Sequence, residues 1–235
     1  MKKLGIIGAM SVEVETLKGQ LKCLSVVNRG GMEFYEGRLF SLPVVVVECG
    51  VGKVNAALCV QILCDCFGVT HIVNTGVAGS LCNSLDTGDF VIGEDAMYHD
   101  FDCHSINPNY PVGQVPGLPV HSFPADKYLV EKAFSAAQQV HAGHTKIGRI
   151  ASGDQFVSGK EQKETIIRNT GAICTEMEGT AIAHAAWKNN IPFVIIRAIS
   201  DKADDSAQMD YPTFEAIAAK RCAQVTQIFA RELSE

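Results

Sequence analysis

The chain has 235 residues, 47% of them hydrophobic and only 7% aromatic, and a formal net charge of -6. This length and apolar content suit one sizeable α/β domain spanning residues 1–235, and the use of Ala, Val and Ile in place of aromatics suits helices layered on a buried sheet. The negative balance and the lack of any basic run argue against nucleic acid or an anionic membrane as partner, because nothing offsets phosphate repulsion.

The N-terminus, Met1-Lys2-Lys3, runs into an apolar strand over Leu4 to Ile7. The apolar run ends by Ser11 and Glu13, too short for a signal peptide. Gly8-Ala9-Met10 then turns the chain into a helix through Glu13 to Leu21. A second apolar run, Pro43 to Val47, ends at Gly50-Val51-Gly52, and Lys53 to Phe67 reads as an Ala- and Leu-rich helix. His71 to Val73 is a strand running into the Asn74-Thr75-Gly76-Val77-Ala78-Gly79 turn. Asp89 to Ile92 and Ile147 to Ile150 are further strands. Ile173 to Thr175 enters a Glu176-Met177-Glu178 turn, followed by a helix over Thr180 to Asn189. Pro192 to Ile196 is the most apolar strand and leads to Arg197 and Asp201. The last helix, about Pro212 to Leu233, sets Phe214, Ile217, Ala218, Val225, Ile228 and Phe229 on one face. Residues 99 to 125 break the pattern with Pro108, Pro111, Pro116, Pro119 and Pro124, and a loop this long in a compact domain is functional or an interface. Strand, glycine turn and helix in alternation imply a single-domain α/β fold, with a mixed, mostly parallel central sheet flanked by helices.

Two acidic strand ends stand out, Thr175-Glu176-Met177-Glu178-Gly179 and Arg197-Ala198-Ile199-Ser200-Asp201. The carboxyl edge of an open α/β sheet is where ligands bind, and carboxylates are costly to desolvate without a purpose. Glu176 and Glu178 share a face if the segment is extended and diverge if it turns into helix. Asp201 reads as an N-cap or a ribose ligand, and Asp204 and Asp205 as solvated loop residues. Glu13 sits in the first turn of its helix, where a carboxylate either stabilises the helix end or works in a site.

Other motifs fall short. Gly50-Val51-Gly52-Lys53 lacks the phosphate-loop register, since Val47 and Val54 stand where Gly and Ser or Thr belong. It is a tight strand-to-helix turn, with backbone N–H groups free to meet a small ligand. His99-Asp100-Phe101-Asp102-Cys103-His104 resembles a metal cluster but lacks helical His spacing, so a polar loop near the site is the better reading and no metal or other cofactor is expected. Nine cysteines occur without a Cys-x-x-Cys pair. Cys59, Cys64 and Cys66 read as core thiols of an apolar helix, and reduced thiols without an export signal point to the cytoplasm. No apolar stretch is long enough to span a membrane.

Gly8-Ala9-Met10 with Glu13, Asn74-Thr75-Gly76-Val77-Ala78-Gly79, Ser152-Gly153-Asp154-Gln155-Phe156, Glu176-Met177-Glu178 and Arg197-Ala198-Ile199-Ser200-Asp201 occur in one order at one spacing. From about Lys3 to Leu233 the chain resembles the bacterial 5′-methylthioadenosine/S-adenosylhomocysteine nucleosidases of the purine nucleoside phosphorylase superfamily. The resemblance implies hydrolysis of the bond between adenine and ribose in methionine and S-adenosylmethionine recycling. It makes Asp201 the general acid at adenine, Glu13 the carboxylate that positions water, and Glu178 the one that holds ribose hydroxyls beside Met177. Phe156 and Val157 match the adenine pocket, Met10, Val51 and Tyr211 its apolar walls. Arg197 matches a partner of the acidic cluster, with Glu176 supporting. Val77, Ala78, Gly79 and Ser200 fall at substrate-contacting positions, Val77 replacing a serine of other members. Ile106 and Pro116 lie in a loop near residues 103–118 that, in the family, reaches the partner's site in a homodimer.

These residue types suit the chemistry. Adenine leaves poorly until a ring nitrogen is protonated, so a positioned acid is required, and that acid needs a raised pKa to hold its proton near neutral pH. Ribose gains oxocarbenium character, which nearby carboxylates stabilise. Phosphorylases of the superfamily carry arginines where this chain has Glu13 and Asn74. A desolvated carboxylate there would repel phosphate, so water is the expected nucleophile. A nucleoside phosphorylase, an aminodeoxyfutalosine nucleosidase and a non-catalytic nucleoside-binding module are the alternatives.

Overall fold

A computed structural model describes residues 2–204 and 206–234, the side chains at 23, 24 and 208–210 excepted. In chain order the elements are β1 (Leu4–Gly8), α1 (Ser11–Lys18), β2 (Lys22–Arg29), β3 (Met32–Leu39), β4 (Leu42–Glu48), α2 (Lys53–Phe67), β5 (His71–Ser80) and β6 (Phe90–Tyr98). They continue with β7 (Phe123–Pro124), α3 (Lys127–Val140), β8 (Thr145–Ser152), α4 (Lys160–Thr170), β9 (Cys174–Glu176), α5 (Gly179–Lys188), β10 (Phe193–Asp201) and α6 (Ala207–Ser234).

One mixed sheet organises the fold. Its strands run β2-β3-β4-β1-β5, and β5 pairs onward with both β9 and β10. Because β9-β8-β6-β10 also pair in succession, five strands close into a ring instead of the open sheet expected from sequence. Parallel pairing joins β4, β1, β5 and β10 and, separately, β6, β8 and β9. The pairing turns antiparallel at the β2–β3–β4 hairpins, at β6–β7, and at the two seams β5–β9 and β6–β10.

Strand alternation splits the core in two. Leu4, Ile6, Val44 and Val46 face α3 and α6, whereas Ile7, Val45 and Val47 face α2 and α5. Aliphatic side chains on both faces explain why these strands read as unbroken apolar runs. Among the described residues no helix is long and apolar enough to cross a membrane.

Several boundaries differ from the sequence reading. The glycine-containing stretch Asn74–Gly79 is strand, not turn, and β5 runs to Ser80. Likewise β10 continues past Ile196 through Asp201, every residue buried. Small residues allow this: a Cβ on Gly76 would overlap the Glu13 carboxylate, and one on Gly79 would lie 2.8 Å from Ala203 Cβ and 2.9 Å from Asp201 Oδ1. The last helix begins at Ala207 and holds Pro212 within it. The sequence reading also passed over β2–β3, α3 and α4. Gly30 and Gly31, at φ +57° and +77°, form the hairpin turn, a Gly-Gly signal present in the sequence. Asp126 caps α3 by accepting the Leu129 amide at 3.0 Å. The irregular segment extends over residues 99–122 and ends at β7.

Candidate functional site

The register of β5 brings the two acidic strand ends together. Gly79 lies opposite Asp201 on one side and Thr175 on the other, while Gly76 lies opposite Arg197. A half-open cleft with about 580 Å³ of empty space lies over this junction. Val77, Ala78 and Gly79 form its floor, with Thr175, Glu176, Met177 and Glu178 on one side and Ser200 and Asp201 on the other. Met10, Val51 and Tyr211 form apolar walls, and Phe156 and Val157 lie on the loop between β8 and α4. Phe156 meets Tyr211 edge to face at 5.4 Å between ring centres. Ala9, Gln155 and Thr175 also line the cleft; they stand within the quoted motifs but were given no site role from the sequence. They neighbour residues that were given one, which is the signal that marks them.

Glu13 enters from the first turn of α1. One oxygen accepts the Ala9 and Met10 amides at 2.7 and 3.1 Å, and the other accepts the Val77 amide at 3.1 Å. It therefore stabilises its helix end and faces the cleft, uniting its two readings. Burial pushes its pKa up against the opposing pull of Arg197 and these amides.

Glu176 ends β9 and Glu178 caps the start of α5, so the turn at Met177 gives them different partners. Glu176 holds the start of α5, accepting the Glu178 and Gly179 amides at 3.1 and 2.7 Å. It also accepts the Ser152 hydroxyl and pairs with Arg197. Burial alone would raise its pKa, but Arg197 and the Ser152 hydroxyl hold it below the usual range. Glu178 accepts the Gly52 amide at 2.7 Å. Burial first, and the charge of Glu176 second, push it up to about 8.

Arg197, grouped with the substrate-binding residues and matched by the resemblance to a partner of the acidic cluster, does not line the cleft. It is 2% exposed, and its two terminal nitrogens donate to Glu176, Asn74 and the Ile196 carbonyl. It acts as the buried counter-charge of Glu13, Glu176 and Glu178. Asp201, also 2% exposed, accepts the Ser200 hydroxyl at 2.7 Å and the Ala203 amide at 2.8 Å. Gly76 is the position through which Glu13 and Arg197 approach each other. We expect Gly76→Ala to cost about 1–3 kcal/mol, as overpacking does, and to lower kcat, measured by urea unfolding and by adenine release.

The remaining sequence candidates lie apart. Ile106, 79% exposed, and Pro116, also exposed, belong to the 99–122 segment and do not line this cleft. Three amides of the Gly50–Lys53 turn are engaged: Gly50 donates to the Ala9 carbonyl at 3.1 Å, Gly52 to Glu178, and Lys53 to Asp154 Oδ1 at 2.9 Å. Asp204 is paired with Lys163 at 3.6 Å and is not merely solvated; Asp205 lies outside the described residues. Cys59 is a core thiol, but Cys64 is half-buried and Cys66 exposed.

The His99–His104 stretch does not converge on one point, because Asp100 is held by Lys53 and Asp154. A different group, Asp89, His141 and His144, has ligand atoms within 4.8 Å of one another. Its two imidazoles stack face to face at 3.9 Å between ring centres, and His144 Nδ1 lies 2.8 Å from Asp89 Oδ1.

Similarity to known proteins extends over the whole chain. A family model described as the phosphorylase superfamily matches residues 3–231. A 5′-methylthioadenosine/S-adenosylhomocysteine nucleosidase of Staphylococcus aureus (strain MRSA252) is 40% identical over 231 residues, covering 98% of this chain and 100% of the relative. The crystal structure of the Neisseria meningitidis 5′-methylthioadenosine/S-adenosylhomocysteine nucleosidase with methylthio-immucillin-A superposes with a TM-score of 0.94 at 36% identity, covering 99% of this chain and 100% of that one. The futalosine hydrolase of Helicobacter pylori strain 26695 gives a TM-score of 0.92 at 31% identity, with 98% of each chain covered.

Proposed function

The chain belongs to the phosphorylase superfamily, and within it we propose that the protein is a nucleosidase. It hydrolyses the N-glycosidic bond of 5′-methylthioadenosine and S-adenosylhomocysteine, and of 5′-deoxyadenosine, to adenine and the 5-substituted ribose. One observation carries this reading: Glu13, Glu178 and Asp201 meet in an otherwise largely apolar cleft whose described lining includes no lysine or arginine. Such a site suits a reaction that builds positive charge on ribose, and it repels a phosphate dianion.

In this mechanism the base stacks on the Phe156 ring with backbone groups at Val157 reading its edge, and Asp201 protonates a ring nitrogen as the C–N bond lengthens. Glu178 uses its carboxylate to grip ribose hydroxyls beside Met177. Glu13 orients water toward the anomeric carbon and stabilises the oxocarbenium-like centre more than the neutral substrate. Arg197 keeps the carboxylates in place without itself reaching the cleft. Val77 provides its backbone amide to Glu13 but no hydroxyl.

The similarity to futalosine hydrolase supports a second reading, an aminodeoxyfutalosine nucleosidase, since the same cleft would act on a larger 5′ substituent. We also propose a homodimer in which the loop near residues 103–118 reaches the partner's cleft. Exposed apolar side chains at Ile106, Val51 and Val54 support it. The free thiols of the described cysteines suit a cytoplasmic enzyme of S-adenosylmethionine recycling.

Incubation with methylthioadenosine, with and without phosphate, tests the reaction. We expect adenine and free methylthioribose at equal rates in both. A sugar 1-phosphate formed only with phosphate would identify a phosphorylase, and binding without adenine release a non-catalytic module.

A further inference from the structure

Two sequence motifs that the proposed reaction does not use, Gly50-Val51-Gly52-Lys53 and His99-Asp100, meet in the fold. Lys53 Nζ lies 2.6 Å from Asp100 Oδ2 and 3.6 Å from Asp154 Oδ2. The same Asp100 oxygen accepts the Asp154 amide at 2.9 Å, and Asp154 Oδ1 accepts the Lys53 amide at 2.9 Å. One residue earlier, the Gly52 amide reaches Glu178 at 2.7 Å.

Both segments tied in this way wall the cleft and both are irregular backbone. Gly50 and Gly52 have φ of +84° and +98°, conformations that glycine adopts at an entropic cost. They carry Val51 and deliver an amide to the proposed ribose grip. The 153–157 segment carries Phe156 and Val157. Asp100 is the firm point between them. It lies two residues past the end of β6, beside His99, whose amide donates to the Ser152 carbonyl at 3.0 Å. The His99 ring packs so closely on Gly153 that any Cβ there would overlap it. The Asp100 side chain is only 12% exposed, so this pair differs from an exposed ion pair of little worth.

We propose that Lys53 and Asp100 form a positioning clamp that sets the Gly52 amide on Glu178 and holds the Phe156 segment against the cleft. The clamp rests on the nucleosidase reading, and it acts through Glu178 and Phe156, touching no substrate. Its effect falls on substrate binding first, because misplacing either wall removes contacts to ribose and base before it alters the acid at Asp201.

The clamp also predicts a pH signature. Glu178 faces Glu176 of β9, Arg197 of β10, Glu13 of α1 and Cys49 before the glycine turn. Burial and Glu176 disfavour its ionised form, whereas the Gly52 amide and Arg197 favour it. Loss of the Gly52 contact raises its pKa further, so the acidic limb of kcat/KM moves to higher pH.

The test compares Lys53→Met, Asp100→Asn and Lys53→Arg with Lys3→Met. Lys3 makes a comparable 2.6 Å pair with Glu36, at the opposite end of β1 from the cleft. Lys53→Met and Asp100→Asn are expected to raise KM for methylthioadenosine about ten- to a hundredfold, in line with the cost of small misplacements, with a smaller fall in kcat. Both shift the acidic limb upward; Lys53→Arg restores KM and the limb, and Lys3→Met changes neither. Calorimetric titration with adenine reads the clamp without turnover, as weaker binding in Lys53→Met. Unchanged KM, pH limb and adenine affinity in a folded Lys53→Met or Asp100→Asn would overturn the clamp, as would equal changes in Lys3→Met. A wild-type protein that binds adenine but releases none from methylthioadenosine would instead overturn the proposed reaction, leaving the adenine titration to decide the clamp.

Discussion

Asp201→Asn is expected to lower kcat for adenine release by about 10²–10⁴-fold, the range for a lost general acid, with the fold intact. Asparagine is nearly isosteric with aspartate. Its carbonyl can accept the Ala203 amide that now reaches Asp201 at 2.8 Å, and the Ser200 hydroxyl can turn to accept from the new NH2. Shape and hydrogen bonding survive, but the proton delivered to the leaving adenine does not. Steady-state adenine release, with circular dichroism and thermal melting beside it, measures the outcome. Methylthioadenosine should still bind, so the loss appears in kcat and not in affinity. A folded variant with wild-type turnover would remove Asp201 from the role of acid.

Arg197→Met is expected to destabilise the fold by about 3–5 kcal/mol, the usual cost of breaking a buried ion pair from one side, and to abolish most activity. Methionine fills much of the same volume, so the loss is chiefly electrostatic. Glu176 would keep its Ser152 and α5 amide bonds but lose the guanidinium it pairs with, and Glu13 and Glu178 would lose their shared counter-charge. Urea unfolding against pH gives the sign. In the wild type the Glu176 pKa lies below its ordinary 4.5. Its contribution to stability is therefore present above that value and lost as pH falls through the folded pKa. In the variant, burial without Arg197 raises the folded pKa above 4.5, and the penalty is relieved as pH falls from 7 toward 5. The stability gap between the two proteins should therefore narrow on acidification. Arg197→Met/Glu176→Gln should recover part of the loss at pH 7, because it removes the stranded charge. A gap that stays constant with pH would mean that packing, not charge, is what Arg197 provides.

Much of the site was legible in the sequence because its parts lie at strand ends and helix starts. Apolar runs closed by Glu176, Glu178 and Asp201 announce desolvated carboxylates, and residue order over nearly the whole chain announces the family. The roles within the acidic group were less legible. Glu176 and Glu178 look alike in sequence and both border the cleft, yet Glu176 is neutralised by Arg197 whereas Glu178 accepts the Gly52 amide. Only Met177 separates them, and the turn from β9 into α5 decides which partners each meets. Lys53, discounted as part of a failed phosphate loop, is tied to Asp100, discounted as part of a failed metal cluster. Neither motif predicts the other, because 47 positions separate them in sequence.

What residue type and order determine on their own is the layered α/β class, the buried strands and the presence of a carboxylate-rich site for a small polar ligand. Period-two and helical patterns are local, so they survive without knowledge of the fold. Only the tertiary structure decides that β5 is shared by β9 and β10, that the strands close into a ring, and that Gly76 and Gly79 lie where Glu13, Arg197 and Asp201 must approach. Pairing partners and counter-charges are set by long-range register and by the burial that makes an unpaired charge costly. Neither is encoded in any one segment.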